Sequence, residues 1–322
     1  MKKVFITGGS GTVGSAFIKK YYKKYKFYSY SRNEKMQVAL KRRFSNIEVI
    51  LGTIEDENLL ISEMHKIKPD IIIHMAALKH VDTAEKQPSQ AISINLLGSS
   101  NVVKAAKICD VPLTVGISTD KACQPDCVYG YTKLLMEKLF LDADNKKNKF
   151  VCCRFGNVAG SHGSVIPYWL SLKANKQKLK LTDPRMNRLM FSQDNAAKLI
   201  EKSIEIVFER KNSGFILSEK MKNVNMYELA KIISDEIEIV GSRPGEKLNE
   251  FLISQKELER TSLLEAGKYI ILEKQKTDNL KGRLTSVLSS NTAEQMQQQE
   301  IKDMVDNVHK ELTGTLLFEK QY

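Results

Sequence analysis

Long apolar runs are missing from this chain of 322 residues; none approaches the ~20 consecutive apolar positions of a membrane-spanning helix. At the start, Lys2-Lys3-Val4-Phe5-Ile6 runs directly into a glycine-rich loop rather than a secretory apolar core, so it reads as a strand. Cysteine is sparse and odd in number: Cys109, Cys123, Cys127, Cys152 and Cys153 lack paired C-x-x-C spacing. That argues against a disulfide framework and a zinc site and leaves reduced thiols in a cytoplasmic setting. The five histidines (His65, His74, His80, His162 and His309) are too scattered for metal ligation, so no metal is expected. Acidic residues are in deficit, 38 against 50 Lys and Arg, for a formal charge of +12. The lysines are dispersed in pairs such as Lys19-Lys20 and Lys146-Lys147, and no aromatic-basic platform accompanies them. Nucleic acid is therefore not the expected partner, whereas a basic cleft for a small anion needs only a few of these residues.

What is present is alternation. Short apolar runs at 3–7, 27–31, 47–51, 71–74, 113–118 and 150–155 read as strands, separated by segments of helical length. Near-continuous apolar strands between helices imply an α/β fold, a doubly wound parallel sheet covered on both faces. After about residue 155 the pattern loosens into Gly156, Gly160, Gly163 and the turn Thr182-Asp183-Pro184-Arg185, with a helix expected from Asp194. The chain is thus divided into a dinucleotide-binding domain, 1–155, and a smaller C-terminal lobe, 156–322, interleaved with elements that return to the sheet at about 190–220. The Gln-rich stretch 293–310 reads as a polar surface helix.

Gly8, Gly11 and Gly14 follow the first strand and precede a helix-like stretch from Ser15, in the loop Thr7-Gly8-Gly9-Ser10-Gly11-Thr12-Val13-Gly14. Such glycines allow a tight turn and close backbone approach to a pyrophosphate at the helix N-terminus. At the end of the second strand, where a carboxylate usually meets the ribose of NAD, the chain has Ser31-Arg32-Asn33-Glu34-Lys35. Arg32 and Lys35 suit a 2′-phosphate, so NADP is expected in preference to NAD. Tyr129 and Lys133 lie four residues apart, one helical face at ~100° per residue. By itself this spacing recurs in many helices as a half-buried Tyr beside a solvated Lys. Behind a dinucleotide fingerprint it reads as a phenol whose pKa an ammonium lowers, a base that takes a hydroxyl proton while a nicotinamide takes the hydride.

These features, with His74-Met75-Ala76-Ala77-Leu78-Lys79-His80-Val81, Ser118-Thr119-Asp120-Lys121-Ala122, Tyr129-Gly130-Tyr131-Thr132-Lys133, Arg154-Phe155-Gly156-Asn157-Val158, Gly163-Ser164-Val165-Ile166-Pro167 and Arg243-Pro244-Gly245-Glu246-Lys247-Leu248, run in order through residues 1–275. The chain in this way resembles the extended short-chain dehydrogenase/reductases with a Rossmann domain, and within them the UDP-N-acetylglucosamine 4,6-dehydratases of surface-glycan synthesis. The resemblance implies a UDP-sugar substrate, a homo-oligomer without membrane attachment, and roles for individual residues. Tyr129 is the base for C4 oxidation, Thr119 hydrogen-bonds the C4 oxygen, Lys121 is the base at C5 and Asp120 the acid at O6. For Lys121 to work as a base its pKa must be depressed, which burial and nearby Lys133 could supply. Ala76, Ala77 and Lys79 join Gly8, Gly11, Thr12, Val13, Gly14, Ser31, Arg32 and Lys35 around the cofactor. Lys79, Arg154, Asn157, Arg188, Arg243 and Glu246 match positions near the phosphates, ribose and base; Val165 and Pro167 match the uracil pocket, and Asn95 a support for the active-site backbone.

Three positions depart from the family pattern: His162 for an arginine, Thr53 for an aspartate and Asn187 for a threonine. Ala77-Leu78-Lys79 together with Tyr129 resembles the soluble members that invert C5. A retaining dehydratase, a nucleotide-sugar 4-epimerase and an NADP-sensing scaffold remain the other readings. An epimerase shares Tyr129 and Lys133 but has no need of Asp120-Lys121.

Overall fold

The computed structural model describes residues 1–210, 212–274 and 282–320. All six expected strands form and lie parallel, in the spatial order Lys149–Phe155, Leu113–Thr119, Ile71–His74, Lys2–Thr7, Tyr25–Ser31, Ile47–Leu51. Val4-Phe5-Ile6 and Ile71-Ile72-Ile73 have no exposed surface, because helices cover the sheet on both sides. Unbroken apolar runs, rather than alternating ones, are the consequence. Lys2–Thr7 pairs on one side with Tyr25–Ser31 and on the other with Ile71–His74, so strand order reverses there. A reversal of this kind leaves a crevice beyond the carboxyl ends of the strands.

The chain returns to this sheet twice. Helix Gln193–Arg210 packs on helix Thr12–Tyr21, and strand Phe215–Glu219 adds parallel to Lys149–Phe155. Tyr269–Glu273 and Thr261–Leu264 add antiparallel as a hairpin, giving a sheet of nine strands among the described residues. Its turn passes through Glu265, Ala266 and Gly267 at positive φ, a connection whose sequence carries only one glycine.

A second apolar cluster joins Ile166, Trp169, Leu181, Met190, Leu229 and Ile233 from the C-terminal half. Helix Gln298–Lys320 completes it with Ile301, Val305 and Val308. The expectation of a purely polar surface helix at 293–310 is corrected here: apolar residues at spacings of four and three form a narrow stripe that the surrounding Gln and Lys obscure.

Candidate active site

A cleft of about 1020 Å³ opens at the carboxyl ends of the parallel strands, between the sheet and the second cluster. Its dinucleotide side is made of Gly8, Gly11, Thr12, Val13, Gly14, Ser31, Arg32, Ala76, Ala77 and Lys79, all on the cleft wall; Lys35 stands outside it. Gly8 has φ +75, and a methyl group there would come 2.9 Å from the Ala76 amide nitrogen. A methyl at Gly14 would stand 2.5 Å from the Gly9 carbonyl oxygen, so the loop can only be this tight with glycine at both positions. Gly11 caps helix Thr12–Tyr21 without a side-chain hydrogen bond, leaving first-turn N–H groups for an anion. These residues fit a dinucleotide pyrophosphate. Thr12 Oγ1 lies 2.8 Å from His162 Nδ1, and the Lys79 ammonium donates to the His162 carbonyl (2.7 Å), so the loop at 161–163 crosses the glycine turn.

The reactive side lies at the end of strand Leu113–Thr119. A one-turn 3₁₀ segment, Asp120–Ala122, turns the chain toward helix Val128–Ala143, which carries half-buried Tyr129 and buried Lys133 and Glu137 at four-residue steps along one face. Thr119, Lys121, Tyr129 and Lys133 line the cleft. Asp120 is fully buried just behind the wall. Its Oδ1 accepts from Thr119 Oγ1 (2.9 Å) and Lys121 Nζ (3.2 Å), while Oδ2 has no hydrogen-bond partner. Gly156, on the cleft wall, covers that free oxygen so thinly that a Cβ would stand 3.1 Å from it. Asn95, on the π-helical segment Ile92–Leu97, clamps both backbone groups of Leu78 (2.7 and 2.9 Å), fixing the strand exit that faces the cofactor side.

Electrostatics correct two expectations. Burial alone would lower the Lys121 ammonium, but Asp120 and Glu250, whose Oε1 is 3.3 Å from Nζ, outweigh it and hold it well above the ordinary lysine range. Lys121 is therefore charged, not depressed, and the opposing neighbour is Arg188 rather than Lys133. Lys133 turns along its own helix to Met136 Sδ (2.9 Å), and burial pulls it down to about 8. Tyr129 is pushed up to about 12 by burial, with Lys121 opposing. Lys133 thus leaves the phenol unassisted in this arrangement.

On the far wall stand Asn157, Val165, Arg188, Arg243 and Glu246, while Pro167 is outside it. Arg243 Nη2 binds Glu246 Oε1 at 2.5 Å, and Glu246 is held below the usual carboxylate range: burial raises it, but that bond prevails. Arg188 donates to the carbonyls of Asn187 (2.9 Å) and Leu248 (3.2 Å). Arg154, taken with these as an anion contact, is a structural residue instead. It is buried, and its guanidinium donates to both carboxylate oxygens of Glu137 and of Glu257 and to the Leu252 carbonyl. No donor is left for a phosphate. Glu250 is the site residue that sequence reasoning missed; a lone Glu after a polar loop carries no mark of its destination.

The fold and the crevice define a Rossmann-type α/β protein. The family model described as "Polysaccharide biosynthesis protein" matches residues 4–273, and the chain belongs to that family. Among its relatives, an inverting UDP-N-acetylglucosamine 4,6-dehydratase of Campylobacter jejuni is 37% identical over 265 residues, 79% of this chain and 78% of the relative. A UDP-glucose 4-epimerase of Rickettsia bellii is 34% identical over 275 residues, 80% of this chain and 79% of the relative. The crystal structure of Pen from Bacillus thuringiensis superposes with a TM-score of 0.87 at 29% identity, covering 96% of this chain and 98% of Pen.

Proposed function

We propose that the protein is a nucleotide-sugar 4,6-dehydratase that converts UDP-N-acetylglucosamine to a 4-keto-6-deoxy sugar with inversion at C5, for surface-glycan synthesis. The observation that carries this reading is the Asp120-Lys121 pair beside Tyr129 at the cleft, in a chain similar to an inverting dehydratase. Abstracting a C5 proton and expelling O6 needs a base and an acid close together, and an enzyme that only oxidises and reduces C4 needs neither.

The chemistry that a bound nicotinamide dinucleotide supplies is a reversible hydride acceptor. Tyr129, acting as the phenolate, takes the C4 hydroxyl proton, and Thr119 hydrogen-bonds the resulting C4 oxygen. With a ketone at C4 the C5 proton becomes acidic; Lys121 takes it, and Asp120 protonates the departing O6 past Gly156. Lys133 orients the dinucleotide. Residues 1–155 hold mainly the cofactor and 156–322 mainly the nucleotide sugar, with Asn157, Arg188, Arg243 and Glu246 toward the diphosphate and ribose and Val165 toward the base. Arg32 on the cleft wall favours NADP over NAD. The setting is cytoplasmic, and the working form is a homo-oligomer.

The Rickettsia relative favours one second reading, a 4-epimerase. Incubation with UDP-N-acetylglucosamine and NMR of the product separates the two. A 4-keto-6-deoxy product without net consumption of NADP⁺ is expected; a sugar that keeps its C6 hydroxyl and changes only at C4 would replace this assignment with the epimerase.

A further inference from the structure

Glu250 is built into the site with unusual firmness. Its N–H donates to Ser290 Oγ (3.0 Å), and its carbonyl accepts from the Ser290 N–H (2.8 Å), at the edge of the ribbon formed by Phe251–Ile253 and Leu288–Ser289. The same segment is tied to the reactive turn: Arg154 binds the Leu252 carbonyl, and Cys123 Sγ binds Glu257. The Glu250 side chain is 3% exposed, lines the cleft, and stands 3.3 Å from Lys121 Nζ, which Asp120 also approaches at 3.2 Å. The charged or titratable groups that face it are Lys121, Asp120, Arg188 and, more distantly, Cys127.

This arrangement poses a chemical problem. An amine between two carboxylates is an ammonium, and an ammonium has no lone pair with which to remove a proton from carbon. Asp120 Oδ1 already accepts from Thr119 as well as Lys121, whereas Glu250 Oε1 is ion-paired with Lys121 Nζ at 3.3 Å. Burial raises the Glu250 carboxyl, against the pull of Lys121 and Arg188, which eases its taking up a proton.

We propose that Glu250 is a positioning residue that discharges Lys121 by holding its proton. One Nζ–H bond breaks as an Oε1–H bond forms, giving a neutral amine toward the sugar and a neutral acid behind it. The amine then takes the C5 proton and passes one to Asp120 Oδ1, 3.2 Å away; the C–H electron pair becomes the C5–C6 double bond, and the O6 hydroxyl takes that proton from Asp120 and leaves as water. When Lys121 has given up the proton taken from carbon, that on Glu250 returns to Nζ. This inference rests on the dehydratase reading and deepens it, because the carboxylate explains how a charged lysine serves as base.

The test compares the whole protein with Glu250→Gln and Glu250→Asp in deuterated water under single turnover with UDP-N-acetylglucosamine. Product formation by the unaltered protein tests the dehydratase reading alone; the role of Glu250 is read from the ratio of variant to unaltered protein. In Glu250→Gln, C4 oxidation, seen as absorbance of reduced nicotinamide, should stay within about twofold, while deuterium entry at C5 and loss of water fall on the order of 100-fold. Glu250→Asp keeps a protonatable group and should exchange C5 at least about tenfold faster than Glu250→Gln. Three results would overturn the proposal: dehydration by Glu250→Gln at the unaltered rate or faster, C4 oxidation falling in parallel with C5 exchange, or equal losses in the Gln and Asp variants.

Discussion

Thr12 and His162, 150 residues apart in sequence, meet twice at the mouth of the cleft: the hydroxyl lies 2.8 Å from Nδ1 and accepts the His162 N–H at 3.0 Å. Thr12 opens the helix that follows the glycine turn, and His162 belongs to the loop between Ala159 and Ile166 of the second apolar cluster. The contact therefore straps the second half of the chain across the cofactor side. Lys79 holds the same loop by its carbonyl.

Cutting that strap should speed loss of the dinucleotide. In His162→Ala the ring contact disappears while the main-chain N–H bond remains, and a single exposed hydrogen bond contributes about 1 kcal/mol. The dissociation rate of NADP should rise about fivefold, measured by stopped-flow displacement with excess unlabelled dinucleotide. An unchanged rate would mean that the loop gates nothing.

Lys121→Ala should stop dehydration with little effect on substrate binding. On the proposed function its ammonium is the base precursor, and it is ion-paired with two buried carboxylates at once. Turnover should fall on the order of a thousandfold, with UDP-sugar affinity by calorimetry within about threefold. Without the ammonium, Glu250 and Asp120 repel each other, which raises carboxyl pKa values in the folded state; the variant should be more stable at pH 5 than at pH 8 relative to the unaltered protein. Normal turnover in this variant removes Lys121 from the mechanism.

Much of this arrangement can be read in the sequence because it is local. Apolar runs of four to seven residues place every central strand, and the glycine spacing, Asp120-Lys121 and the Tyr129, Lys133 step sit within a few residues of strand ends. What stays hidden depends on partners far along the chain. Glu250 reaches Lys121 only because the ribbon with Leu288–Ser289 brings it there. Arg154 looks like an anion ligand until Glu257 and Glu137 are seen to use its donors. Glu137 does carry a trace, since an acid on the helix face of Tyr129 and Lys133 requires a cation.

Acid should destabilise the fold through His74. The ring is fully buried between Thr7 Oγ1 (2.7 Å) and Ser99 Oγ (3.0 Å), and burial, aided by Lys133, pulls its pKa down to about 3. Below the ordinary value of about 6.5 the unfolded chain binds a proton that the folded chain refuses, so stability falls as pH drops from there toward 3. The slope from this one group is at most about 1.4 kcal/mol per pH unit. Urea midpoints at pH 7 and pH 4.5 should differ accordingly, and His74→Gln should flatten the difference; equal pH sensitivity in the variant would assign the effect elsewhere.

Arg32 should decide between the two dinucleotides. It is exposed on the cleft wall at the end of Tyr25–Ser31, next to Asn33, whose side chain caps the following helix at the Met36 N–H (3.0 Å). A guanidinium so placed can pair with a 2′-phosphate but has nothing equivalent to gain from a ribose hydroxyl. Arg32→Ala should weaken NADP about tenfold and leave NAD within about twofold, by fluorescence titration. Equal weakening of both would mean that Arg32 supports the loop and does not read the phosphate.

Arg154 should be the most costly single replacement outside the cleft. Its guanidinium lies 2.7 Å from Glu137 and 3.0 Å from Glu257, and it links helix Val128–Ala143, strand Lys149–Phe155 and the segment that carries Glu250. Burial would raise Glu257, but Arg154 prevails and holds it at about 2. That carboxylate's contribution to stability is present above its unfolded value near 4.3 and is lost as pH falls through about 2. Arg154→Met leaves Glu137 without its ion-pair partner and Glu257 with only Arg260, 3.9 Å away, and should cost about 3–5 kcal/mol at pH 7, seen as a lower urea midpoint. Lowering the pH to 5 should return part of the loss, because the stranded carboxyl groups can then take up protons. Adding Glu137→Leu and Glu257→Gln to Arg154→Met should recover more of it, since the charges that need neutralising are gone. If the triple variant is no more stable than Arg154→Met alone, the guanidinium acts by packing and not by charge.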